Sequence, residues 1–209
     1  MPRLMDMGME RLRSLLLEMG ELSEKTVSTA MDAYQMGKNL AEVDRWSIKL
    51  RQLDEQVSEL SIELIARFQP LASDLRYIKA GMEISYGFYR FGRYARDITQ
   101  VLDMFGDISK CDHALIDAAG QKTEEMIRMS VEAFADRDVE VAKKIAEMED
   151  AVDNMYRDYI RKLMKAKSTD LRCALSGALV LRYLERIADH ATYIGNSVVY
   201  IVTGEEPAP

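Results

Sequence analysis

The stretch VAKKIAEMEDAVDNMYRDY, residues 141–159, decides the fold. Its apolar residues Val141, Ile145, Met148, Val152, Met155 and Tyr159 recur every three or four positions. That period lays one stripe along one face of an α-helix, whereas a strand would alternate. The same spacing runs through Leu12, Leu15, Leu16, Met19, Leu22 and Val27, and again through Leu50, Leu53, Val57, Leu60 and Leu64. Breaks fall near Gly37-Lys38-Asn39, Phe68-Gln69-Pro70, Gly106, Asp136-Arg137-Asp138 and Lys165 to Ser168. Together they predict six helices, over about 3–36, 40–68, 71–104, 107–135, 138–166 and 169–203. Ser73-Asp74 ahead of Leu75, and Ser168-Thr169-Asp170 ahead of Leu171, are placed to accept hydrogen bonds from the free N–H groups of a first turn. Helices of this length are about 45 Å long at 1.5 Å per residue, which makes an elongated bundle.

Composition supports this all-α reading. Of four prolines, Pro2, Pro207 and Pro209 lie at the ends, and only Pro70 interrupts the body. Glycine numbers 11, too few for the many turns of a sandwich or barrel. At 209 residues the chain has room for one large domain or two small ones, and 48% apolar residues supply a core. No apolar run approaches the roughly 20 residues of a membrane span. No charged region followed by an apolar stretch marks a signal peptide, so the expected location is cytoplasmic. The net charge of −7 disfavours nucleic acid as a partner. Cys111 and Cys173 show neither zinc spacing nor a disulfide framework and read as two buried free thiols. Methionines such as Met19, Met148 and Met155 fall at core-periodic positions and read as core filling.

The chain also repeats itself. Asp74-Leu75-Arg76 recurs as Asp170-Leu171-Arg172, and at the same offset Gly81 matches Gly177, Arg90 matches Arg186, Ala95 matches Ala191 and Ile98 matches Ile194. Earlier in each half, Met31-Asp32-Ala33-Tyr34 reads like Val131-Glu132-Ala133-Phe134. Two three-helix repeats, 1–105 and 106–209, fit this pattern.

In the second half Glu149 and Asp153 lie four apart on the fifth helix, and Glu185 and Asp189 lie four apart on the sixth. That spacing puts each pair on one helix face, where like charges repel by about 0.2–0.5 kcal/mol unless neutralised. If the two faces meet, four carboxylates converge as an all-oxygen set suited to a hard cation such as Fe, Mn, Mg or Ca. The competing reading is a solvated face with salt bridges, since Arg157 lies four beyond Asp153 and Arg182 three before Glu185.

The string Tyr183-Leu184-Glu185-Arg186-Ile187-Ala188-Asp189-His190 resembles the LERxxD signature of the PhoU phosphate-uptake regulators. Arg67-Phe68-Gln69-Pro70-Leu71-Ala72-Ser73-Asp74-Leu75-Arg76 resembles that family's QPxASDLR segment, and Glu149 with Asp153 resembles its E/DxxxD motif. Val199-Tyr200 to Gly204 is similar to its usual ending. The resemblance covers almost the whole chain. It implies two three-helix repeats in one bundle, and a cytoplasmic, often dimeric regulator. Such a regulator acts with a phosphate ABC transporter, through its ATPase subunit, and with a phosphate-sensing histidine kinase. It further implies negative regulation of uptake and signalling, and a divalent or trivalent metal ion, iron among them, on Glu149, Asp153, Glu185 and Asp189.

The first half departs from that pattern. Ser47, Arg51, Tyr89 and Arg93 stand where the family carries its first-repeat acidic residues, so no cation is expected there. Arg51 and Arg93 are expected to pair with Glu55 and Asp97, each four residues on. An alternative is an anion-binding patch of Arg90, Arg93 and Arg96. His190 follows Asp189 and is turned about 100° from its face, so it reads as a surface residue, with a supporting place behind the carboxylates as the alternative. His113 has no obvious partner.

Two other functions compete. A ferritin-like di-iron carboxylate protein is built on Glu-x-x-His motifs, but neither His113 nor His190 has a Glu three residues before it. A ligand-free helical scaffold is the other. No phosphate-cradling glycine loop and no Ser/His/Asp or Cys/His constellation supports catalysis, so the chain reads as a non-enzyme.

Overall fold

The computed structural model describes residues 4–36 and 41–205. Within them are six helices: α1 (Leu4–Met36), α2 (Ala41–Phe68), α3 (Ala72–Phe105), α4 (Ala114–Asp136), α5 (Val139–Lys165) and α6 (Leu171–Thr203). No strand occurs among the described residues. The break expected at Gly37-Lys38-Asn39 lies outside them. No described helix is long and apolar enough to cross a membrane.

The chain forms two three-helix repeats, α1–α3 and α4–α6, packed side by side along α3 and α6. Side-chain contacts fix the directions. Lys79 lies over the Tyr200 ring and Tyr94 stacks on Tyr183, so α3 and α6 run antiparallel. Gly20 sits against Val131 and Gly120 against Met31, so α1 and α4 are antiparallel as well. The repeats therefore lie antiparallel, related by an approximate two-fold. Leu12, Leu16, Met19, Ile78, Ile84, Phe88 and Phe91, all fully buried, anchor the first repeat, and Met126, Ile127, Ile145, Val180, Leu184 and Ile194 anchor the second. Burying each large apolar side chain contributes about 1.5–3 kcal/mol, and the helical period puts nearly all of them on the shared seam. Ser23, Thr26, Thr123 and Ser130 enter this core by donating to carbonyls three or four residues back, at 2.6–2.8 Å.

Three features differ from the sequence reading. First, α4 begins at Ala114 rather than near 107. Residues 106–113 form a compact connection with Ile108 buried, in which the Cys111 amide donates to the Ile108 carbonyl at 2.9 Å. His113 is partnered there: its Nε2 is 3.0 Å from the same carbonyl, and its ring meets Tyr34 edge-on at 5.2 Å. Second, Cys111 and Cys173 are not free thiols but a disulfide, with Cα atoms 5.3 Å apart. Packing of the repeats carries the 106–113 connection onto the first turn of α6, a juxtaposition that their separation of 62 residues conceals. Third, the two helix starts are not equivalent. The Asp170 carboxylate accepts from the Arg172 and Cys173 amides and caps α6. α3 instead starts at Ala72 behind Leu71 with no side-chain cap, which leaves Asp74 inside its first turn. Pro70 accounts for the shift. It closes α2 with Gln69 in the left-handed region (φ 47°), and Ala72 opens α3 at φ 40°.

Candidate metal centre and its first-repeat counterpart

α5 crosses α6 antiparallel, and two close approaches set the register. Gly177 abuts Tyr159, and a Cβ on Gly195 would lie 2.9 Å from the Ala142 carbonyl oxygen, a backbone atom that cannot step aside. Midway between these contacts, Glu149 and Asp153 come opposite Asp189 and Glu185. The four carboxylates feel one another. Burial, then Asp189, Asp150, Asp153 and Glu185, push the Glu149 carboxyl above its ordinary value. Burial and Asp189 likewise raise Glu185, with Asp153 adding, against the opposing pull of Arg182 and Arg186.

Arginines supply the neutralising charge. Arg157 pairs with Asp153 at 2.8 Å, Arg182 with Glu185 at 2.5 Å, and Arg186 with Asp189 at 2.9 Å. These include the two ion pairs that the spacing anticipated. Glu185 is the residue under most tension, since only 9% of its side chain is exposed. Its Oε2 is buried without a hydrogen-bond partner, and Arg186 Nε stands off at 3.7 Å. Two arginines alongside do not fully offset burial and the neighbouring carboxylates, so the Glu185 carboxyl stays above its ordinary value. Hard oxygen donors with one buried anionic oxygen unsatisfied fit the chemistry of a cation. The side-chain arrangement fits it less well. Among the described residues no three Asp, Glu, His or Cys side chains are gathered as a ligand set, because the carboxylates turn toward arginines. A metal here would have to replace arginine as the neutralising charge.

The equivalent place in the first repeat, where α2 crosses α3, is built differently. Ser47 is buried with its Cα against Gly92. Arg51 Nε donates to Glu55 at 3.1 Å and Arg93 Nε to Asp97 at 3.1 Å, as expected of residues four apart on a helix. Arg96 reaches across to Asp44 at 2.7 Å. Arg90 donates to the Tyr94 hydroxyl and lies over the Tyr94 and Tyr86 rings, 4.7 and 5.8 Å from their centroids. Each of the three arginines proposed as an anion patch already has a partner on its own protein, so that reading is set aside.

His190 is half-buried rather than a freely exposed surface residue, and it lines a groove. Its ring packs among Tyr193, Tyr86 and Tyr94 at centroid distances of 5.5, 5.8 and 6.0 Å. Burial first, then Arg90 and Arg186, push its pKa down to about 4. These rings lie along the α3–α6 seam beside a groove of about 590 Å³ lined by Lys79, Glu83, Tyr86, Tyr193 and Tyr200.

Sequence reasoning missed the role of the repeated Asp-Leu-Arg arginines. Arg172 Nη1 donates to the Asp107 carbonyl at 3.3 Å, just past the end of α3. Arg76 lies against Gly204 at the end of α6, with its Cζ 3.5 Å from where a Cβ would stand. Each arginine thus lies at the C-terminal end of the other repeat's last helix, where a cation is favoured; among the described residues only Arg172 donates a hydrogen bond there. The repeat itself was the signal.

Comparison with known proteins supplies the remaining evidence. A family model described as "PhoU domain" matches residues 16–102 and again 116–198. A PhoU homolog of Clostridium acetobutylicum, named a phosphate-specific transport system accessory protein, is 29% identical over 98% of this chain and 96% of its own. A homolog of the same description from Pseudomonas putida is 30% identical over 95% of this chain and 80% of its own. The crystal structure of PhoU from Pseudomonas aeruginosa superposes with a TM-score of 0.88 at 28% identity, over 96% of this chain and 99% of that one. Both halves match in order and at full length, and the chain belongs to the PhoU family.

Proposed function

We propose that this protein is a non-enzymatic negative regulator of phosphate uptake and signalling. It works at the cytoplasmic face of a phosphate ABC transporter through contacts with the ATPase subunit and with a phosphate-sensing histidine kinase. The observation that carries the proposal is full-length similarity to proteins named as accessory to a phosphate transport system. Long rigid helices with aromatic and charged outer faces suit a protein that acts by contact. The units are the repeats 1–105 and 106–209, and the chain acts as a homodimer. Purified chain presented to the purified ATPase subunit should form a complex that survives gel filtration. Failure to bind with and without nucleotide, and with and without phosphate, would overturn the proposal.

The second part of the proposal is a divalent or trivalent metal ion, iron among the candidates, held by Glu149, Asp153, Glu185 and Asp189. The unsatisfied Glu185 oxygen supports it. The ion would act as a structural or modulatory charge; Glu185 and Asp189 would hold it from α6, and Glu149 and Asp153 from α5. Elemental analysis of protein purified without added metal tests it. The wild type should carry metal that the Glu185→Ala/Asp189→Ala double variant lacks, and equal content in both sinks the idea.

A further inference from the structure

We infer that Cys111 and Cys173 form a reversible thiol–disulfide site, opened by a small-molecule or protein thiol. When closed, it fastens the connection between the two repeats to the start of α6. Placement carries the inference. The 106–113 segment is the covalent link between the repeats, and it meets the first turn of α6 through the disulfide and through the Arg172 bond to the Asp107 carbonyl. Both cysteines are half-buried rather than sealed in the core. Both line a cleft of about 490 Å³ with Asp107, Lys110, Asp170 and Arg172 among others.

The surroundings give the two sulfurs different parts. Cys173 is the third residue of a 33-residue helix, so its thiolate is stabilised by the helix N-terminus. Asp170 opposes this in part, because its carboxylate accepts from the Cys173 amide at 3.2 Å. Cys111 sits outside any helix, between Lys110 and Asp112. Cys173 is therefore the better leaving group and Cys111 the sulfur attacked. An incoming thiolate forms a bond to Cys111 Sγ, the Cys111–Cys173 bond breaks, and its electron pair leaves on Cys173 Sγ. A second thiolate then attacks the thiol-derived sulfur of the mixed disulfide and releases Cys111. The disulfide gains two electrons and ends as two thiols, and two external thiols leave as one disulfide. Opening does not dismantle the link, because the Arg172 bond to the Asp107 carbonyl and the buried Ile108 remain. It frees the segment between Ser109 and His113.

The full chain, equilibrated in buffers of graded reduced-to-oxidised glutathione, then quenched with acid and alkylated, gives the thiol count by intact mass. The expected result is one transition from no alkylated cysteine to two. The Cys173→Ser variant should trap one glutathione on Cys111. In the wild type, reduction should speed amide exchange across 108–113 by tenfold or more while α2 stays unchanged, which also shows that the reduced chain remains folded. Two free thiols at every ratio, a disulfide that resists excess dithiol in the folded chain, or equal exchange in both states would each overturn the inference.

Discussion

Protonation of His190 should loosen the α3–α6 seam. The imidazole sits among Tyr86, Tyr94 and Tyr193, with Arg90 and Arg186 adding positive charge nearby. Its pKa falls from 6.5 to about 4, so the folded protein resists a proton that the unfolded chain accepts. A base with a depressed folded pKa contributes its stability in full above 6.5. That contribution is lost as pH falls from 6.5 to about 4, and nothing further is lost below. The undiscounted shift would correspond to about 3 kcal/mol at 1.36 kcal/mol per pKa unit. The ring is only partly buried and solvent screens the arginines, so about 1–2 kcal/mol is the expected effect. Urea unfolding of wild type and His190→Phe at pH 7 and at pH 4.5 measures it. The wild type should lose about 1–2 kcal/mol more than the variant over that interval. The variant comparison is essential because Glu149, Glu185, Asp54 and Glu124 have raised pKa values and act in the opposite direction. With only His113 and His190 in the chain, the His190 imidazole resonance can be followed directly by NMR. A titration midpoint near 6.5, or equal losses in both proteins, would refute the reasoning.

Three further outcomes are expected. Glu149 gives its stability in full only below 4.5 and loses it as pH rises through its raised folded pKa; in metal-free protein Glu149→Gln should therefore stabilise at pH 7 by about 0.5–1 kcal/mol and flatten the gain on acidification, read by thermal melts across pH. Asp170→Ala removes the cap of α6 and should destabilise by about 1 kcal/mol in urea unfolding, whereas Asp74→Ala, inside a first turn, should cost well under half of that. Gln69→Gly relieves a non-glycine residue at φ 47° before Pro70 and should raise stability by about 1 kcal/mol, and a lowered melting temperature would contradict that.

The helices were legible because each buries one stripe: Val141, Ile145 and Val152 can be read as a face without knowing what covers it. The carboxylate pairs were legible for the same reason, and so were the Arg51–Glu55 and Arg93–Asp97 pairs, since all are local helix geometry. What could not be read was anything decided between helices. The Cys111–Cys173 bond depends on how one repeat lies on the other, and His190 is enclosed by rings from α3 that no spacing along α6 reveals. The cap of α3 failed for a local reason. Asp74 and Asp170 share a motif, but after Pro70 the third helix starts three residues earlier relative to it, with Leu71 and not Asp74 at the cap. The engagement of Arg90 by the Tyr94 and Tyr86 rings, and of Arg96 by Asp44 across to α2, is not visible in the spacing, which is why an anion-binding patch stood as the alternative to the Arg93–Asp97 pair.

Arg76 and Arg172 carry a consequence for how such a chain arises. Each lies against the end of the final helix of the half to which it does not belong. Two copies of a single three-helix unit, meeting about a two-fold axis, would make the same pair of contacts with themselves. The tandem chain has the antiparallel arrangement of such a symmetric pair, joined through 106–113. Fragments 1–105 and 114–209, produced separately, should therefore find each other in solution, and neither should be as stable alone as the pair is together.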